Sequence, residues 1–396
     1  MSMLEHIMGE YTQMVDAGIW DDYDEDYEQD YSEILSKLDD PDFLRPFSVR
    51  LLTFYNSMLN SSFTNDEAKL DLQRRAREGN VDLKRGVITN WLTGNTEPKY
   101  GDDDRRRMFA VAFALGLDVK QTSQLFHKVY LDKAFNKRNV HEFIYLHCIN
   151  HRKPYEVAER LIDQVTSMDY SGIPTDITEC TELLSSTASQ DMSESELLDF
   201  IYTHRHNFSL NNTAAKKLRK TLLDWLTKGI AGNPGLAQQE YERRRSELSD
   251  KKDSFRSDEK DPKSVDFLLY MIMGIDLAKR ENEQILSIRK KFPRKEIHNQ
   301  FPDKQTLSNK DPSSYVLRKD IILLYFYHYW VSDFLAGHNV GNYDGFVEEI
   351  NSVLLGYGFS PLYAGNPYDW LFLYCSACTS DDYTPLDRFR GILGQD

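Results

Sequence analysis

The sequence predicts an all-α, multidomain protein. Three observations carry that expectation. Apolar residues recur at i, i+3 and i+4 spacing in one segment after another. No stretch of convincing length shows the two-residue alternation of a strand. Helix starts and stops punctuate the chain, as at Asn366-Pro367-Tyr368-Asp369, where a cap residue, a first-turn proline and an early acid follow one another. At 396 residues the chain has room for two or three domains. Its 23 tyrosines and 21 phenylalanines exceed what a disordered chain tolerates.

Residues 1–46 read as an acidic arm, with 14 Asp/Glu against Lys37 and Arg45. The tract at 21–31 interleaves carboxylates with Tyr23, Tyr27 and Tyr31. One reading is a solvated arm. A sharper one is a mimic of DNA that covers a basic face, in which case deleting residues 1–40 tightens DNA binding at low salt.

Residues 47–131 predict five helices. The first spans 47–59, with Leu51, Leu52, Tyr55 and Met58 on one face. Asn65, followed by Asp66 and Glu67, opens the second with a cap and first-turn acids. The third covers 84–92 and stops at Gly94. The fourth covers 104–115, with Met108, Val111, Ala112 and Leu115 inward. The fifth covers 118–130, capped by Asp118, with Val119, Leu125 and Val129 inward.

A helical middle region at 132–245 follows, with helices at 140–151, 154–165, 193–204 and 214–227, and a Ser/Thr-rich loop at 185–195. The charged run at 243–263 reads as a solvated helix end passing into a linker, placed at 246–263. An aromatic-rich helical C-terminal domain takes 264–396, with helices at 265–277, 314–336, 346–355 and 368–378. The apolar stretch 321–335 is too short to span ~30 Å of hydrocarbon and reads as a buried helix. The aromatics within 324–330 read as core, with a ligand pocket or oligomer interface as the alternative.

The most informative segment is Leu83-Lys84-Arg85-Gly86-Val87-Ile88-Thr89-Asn90-Trp91-Leu92-Thr93-Gly94. Leu83, Val87, Ile88 and Trp91 can anchor a short helix, which turns Lys84, Arg85, Gly86, Thr89 and Asn90 outward. Arg can bond guanine O6/N7 twice, and Asn can do the same at adenine N6/N7. Pro98 and then Arg105-Arg106-Arg107 follow. With Leu83, Ile88, Trp91 and Gly94 at those places, and Ala114-Leu115-Gly116-Leu117 closing the fourth helix, residues 47–131 resemble the lambda-repressor/Cro-like (XRE-type) helix-turn-helix domain. The resemblance covers about a fifth of the chain. It implies a third helix in the DNA major groove. Lys84 and Thr89 suit phosphates, Gly86 allows close approach, and Lys99, Arg105, Arg106 and Arg107 fall where the family touches the DNA backbone. Two departures stand out. Arg74–Asn80 lacks the family's Leu-Ala pair and needs a longer turn, and Asp102–Asp104 adjoins the proposed phosphate contacts.

Net charge is −15, but residues 47–155 hold 18 Lys/Arg against 12 Asp/Glu, a local basic excess compatible with a DNA footprint. The four cysteines predict reduced thiols and a cytoplasmic protein. The first six residues lack the basic start and apolar run of a signal peptide. Cys375-Ser-Ala-Cys378 has no second pair at finger spacing and reads as core thiols. His147 and His151, four apart beside Cys148 and His141, read as a half-buried face rather than a metal site. No GxxxxGK[ST], GxGxxG or GxSxG occurs, so no enzyme and no cofactor is expected. The expectation is a DNA-binding transcriptional regulator whose partner is double-stranded DNA. A homodimer is expected because such operators are two-fold. The alternative is a protein-interaction scaffold or mobile-element accessory protein whose helix-turn-helix does not meet DNA.

Overall fold

A computed structural model describes Ile34 and residues 45–98, 102–132, 134–137, 139–168, 184, 187, 190–205, 208, 213–229, 232–247, 260–274, 283–292, 297, 300–308, 316–337, 343–357, 359–377 and 384–393. Among them are seventeen α-helices and no strand. No helix among them is long and apolar enough to cross a membrane. The acidic tract at 21–31, Lys99, Cys180 and Cys378 lie outside the described residues.

From residue 45 onward the chain divides into two compact units, with the boundary between residues 211 and 212. In the first are α1 (Phe47–Leu59), α2 (Asn65–Glu78), α3 (Arg85–Thr93), α4 (Asp102–Leu115), α5 (Val119–Leu125), α6 (Val140–Asn150), α7 (Tyr155–Thr166) and α8 (Glu194–Thr203). The backbone of α5 runs on into a π-helical turn at Phe126–Tyr130, so the predicted single helix changes its winding at Phe126. Thr64, not Asn65, caps α2: its hydroxyl accepts from Glu67 N–H while the Glu67 carboxylate takes the Thr64 N–H. Asp118 and Gln121 form the same reciprocal cap on α5.

One apolar core runs through this unit without a break at residue 131. It joins Phe47, Leu51, Trp91, Phe109 and Phe126 to Phe143, Leu161, Leu197 and Phe208. Phe109 sits 4.6 Å from Phe126 and 4.8 Å from Tyr145, ring centre to ring centre, so α4 is the spine on which the first five helices and the next three share a core.

The second unit holds α9 (Thr213–Thr227), α10 (Leu236–Glu247), α11 (Val265–Met273), α12 (Glu283–Lys291), α13 (Lys304–Ser308), α14 (Arg318–Ala336), α15 (Tyr343–Gly356), α16 (Pro367–Ser376) and α17 (Pro385–Leu393). The helices at 213–247, placed by sequence in a middle region, pack against α14 and belong here. The arginine run is also not a solvated helix end. Arg244 is 1% exposed and bonds Glu240 at 2.6 Å and Asp387 at 2.8 Å. Arg390, wholly buried on α17, bonds both oxygens of Glu240 at 2.9 Å. The Tyr327 hydroxyl donates to the same carboxylate at 2.7 Å. Burial alone would raise the Glu240 pKa, but Arg390 and Arg244 outweigh it and hold it at about 2.

The aromatic run is core. Tyr325, Phe326, Tyr327 and Trp330 are buried, and the Trp330 indole N–H donates to Ser376 Oγ at 3.0 Å. Asn366 caps α16 with Pro367 in its first turn, as the sequence indicated.

Candidate nucleic-acid interface

The third helix is short, fixed on one side and open on the other. At about 100° per residue, Val87, Trp91, Ile88 and Leu92 fall on one half of α3, and Arg85, Thr89, Thr93, Gly86 and Asn90 on the other. Burial follows that division. Ile88, Trp91 and Leu92 are buried, Val87 is half-buried, and Lys84, Arg85, Gly86, Asn90 and Thr93 are exposed. The apolar half is seated against α1 and α2. The Trp91 ring meets Phe47 edge-on at 5.3 Å.

Both ends of α3 are fixed. Gly94 stops it in the left-handed region, at φ 73°, and its N–H returns to the Asn90 carbonyl. A side chain there would be strained, and its Cβ would stand 3.2 Å from Ser48 Oγ on α1. Three residues on, Glu97 Oε1 accepts the Phe47 N–H at 3.0 Å. That carboxylate lies at the positive end of α1 and ties the segment after α3 to the helix on which Trp91 rests.

The predicted contact residues divide into two groups. Lys84 precedes α3 as its N-cap residue, and Arg85 is its first residue. Among the described residues the side chains of Lys84, Arg85 and Asn90 make no ion pair or hydrogen bond. A Cβ added to Gly86 would meet nothing within 4 Å. Thr89 is turned to internal use: its hydroxyl donates to the Arg85 carbonyl at 2.9 Å and accepts weakly from Gln73 of α2 at 3.4 Å. Gln73, a residue the sequence reading missed, thus touches the back of the exposed strip.

The three arginines of α4 are committed inside the unit. Arg105 bonds Glu142 through Nε at 2.7 Å and Nη2 at 2.9 Å, Asp132 at 2.9 Å and the Ala134 carbonyl at 2.9 Å. Burial pulls its pKa down, but Glu142 and Asp132 outweigh that and hold it well above the ordinary arginine value. Its guanidinium also lies 5.2 Å from the Phe126 ring centre. Arg106 pairs with Glu159, and Arg107 with Asp104 at 2.6 Å. Arg105 therefore leaves the candidate surface. Arg106 and Arg107, about half-exposed, reach it only by exchanging a carboxylate for a phosphate. The nearby acids Asp104, Glu142 and Glu159 explain the difference. Two of them lie 37 and 53 residues from their arginines, so local spacing gave no sign of them.

On α2, Arg74 and Arg75 share Asp71, and Asp71 also accepts the Tyr55 hydroxyl at 2.6 Å. Among the described residues, Lys84 and Arg85 at the start of α3 are exposed cations with no carboxylate partner.

Cys148 is buried, which pushes its thiol up to about 12 and leaves it an inert core group. The His147 and His151 rings lie tilted with their centres 4.6 Å apart, and burial, then His151, lowers His147 to about 4. Among the described residues no group of three or more His, Cys, Asp or Glu is arranged to hold a metal ion. The chain matches no protein-family model, no curated protein and no solved structure.

Proposed function

We propose that the protein reads double-stranded DNA and acts as a transcriptional regulator, with α3 entering the major groove. One observation carries this reading. On α3 the unpaired Lys84, Arg85 and Asn90 stand exposed around an open Gly86, while the opposite half is fixed by Trp91, Ile88 and the Gly94 stop. A rod about 13 Å long fits that groove. Arg85 and Asn90 supply the two side chains best suited to a guanine and an adenine edge.

Selection of bound sequences from random duplex DNA, repeated with Arg85→Ala, tests the proposal. The variant should lose ~1–3 kcal/mol at the selected site and relax one position of the consensus, with non-specific binding little changed. An unchanged consensus at unchanged affinity would count against it.

A second reading has its own observation. Arg105, Arg106 and Arg107 are satisfied by internal acids, and a surface short of phosphate clamps also suits a protein-interaction scaffold. No enriched sequence in the same selection is the result that favours it.

A further inference from the structure

Among the described residues, the core of the second unit includes Ile34 of the amino-terminal arm. Ile34 is 0% exposed and packs in the cluster built by α9–α17. Its carbonyl accepts the Trp370 indole N–H at 2.6 Å, a buried bond joining residues 336 apart. The indole is well held for that task, lying flat on Tyr374 at 4.8 Å and against Phe292 at 5.4 Å.

We propose that Ile34 is the anchor by which the arm docks on the C-terminal unit of its own chain. The Trp370 seat is thus a peptide-docking site. The chemistry of the seat defines what it takes. The indole N–H captures a main-chain carbonyl, which any residue offers, while the apolar surroundings select an aliphatic side chain. Covalent attachment gives the segment an effective concentration on the order of millimolar at the seat. An aliphatic peptide on another protein would compete for it. The inference does not depend on what α3 binds.

Hydrogen exchange of the full-length chain, followed by mass spectrometry, tests the docking. Amides around residue 34 should exchange on the order of tenfold more slowly than in Ile34→Asp. Trp370→Phe, which keeps a ring against Phe292 and Tyr374 but removes the donor, should release the same amides and leave those of α1–α8 unchanged. Protection in the wild type should be independent of protein concentration. Free exchange around residue 34 in the wild type, or the same rate in Trp370→Phe, overturns the proposal. Protection that falls on dilution overturns it as well, because the occupant would then be the arm of a second copy. Should Ile34→Asp fail to fold, the wild-type dilution series and Trp370→Phe still decide the matter.

Discussion

Arg105→Met separates a structural arginine from a phosphate contact. The substitution keeps most of the side-chain volume and removes the charge. It leaves Glu142, 5% exposed, without its two-pronged partner, and Asp132 without its 2.9 Å bond. Removing one member of a buried pair costs about 3–5 kcal/mol. Two features moderate the loss here. Glu142 keeps the Asn136 N–H at 2.7 Å, and it stands in the first turn of α6, where the helix favours a negative charge. The low end, about 3 kcal/mol, is therefore expected. For a unit of this size that lowers the melting temperature by about 6–12 °C. Calorimetry of the full chain reads the shift. Arg105→Met/Glu142→Gln, which removes both charges, should recover part of it. A backbone-phosphate contact behaves otherwise: stability stays put, and the salt dependence of DNA binding falls by about one unit of slope. An unmoved melting temperature together with that loss of slope would refute the assignment.

Gly86→Ala should raise stability by about 0.5–1 kcal/mol, because alanine is the better helix former and its Cβ meets open space; a destabilised variant in urea unfolding would mean that position 86 is covered. Asp320 is buried, its Oδ1 has no hydrogen-bond partner among the described residues and Arg219 stands 3.8 Å from its other oxygen; burial raises its pKa to about 6. The folded carboxyl thus holds its proton more tightly than the unfolded one, so its contribution is complete below pH ~4 and is lost as pH rises through about 6. Asp320→Asn should accordingly compare better with wild type at pH 7.5 than at pH 4.5, by roughly 1–3 kcal/mol; an equal difference at both pH values rules this out. Glu240 has the opposite sign, with stabilisation present above its unfolded value and lost as pH falls toward about 2. Glu240→Gln should therefore cost most at neutral pH, and a cost that grows on acidification would contradict the buried pairing.

What the sequence revealed and what it concealed follow from the range of the interactions. The stop at Gly94, the Asp118 cap and the Asn366-Pro367 start depend on neighbours within a few residues, and each occurs as expected. The exposed and buried halves of α3 were legible for the same reason, since helical periodicity alone sorts Arg85 and Asn90 from Ile88 and Trp91. The fates of Arg105 and Arg244 were not legible. Their partners Glu142 and Asp387 lie 37 and 143 residues away, and a run of arginines looks the same whether water or a distant carboxylate surrounds it. The boundary between units was missed for a related reason. The loop after residue 131 reads as a break, yet Phe109 and Tyr145 stack across it. Helices α12, α13 and α17 had no counterpart in the sequence reading.

The bond between Ile34 and Trp370 also imposes a schedule on biosynthesis. At ribosomal speeds of about 5–20 residues per second, the 336 residues between them take about 17–67 s to make. During that interval the isoleucine leaves the exit tunnel with no seat to enter, while α1–α8, whose core is assembled from their own side chains, can already fold. The carboxylates that crowd the chain just before it would then serve as gatekeepers, keeping a bare aliphatic anchor soluble until the last helices emerge.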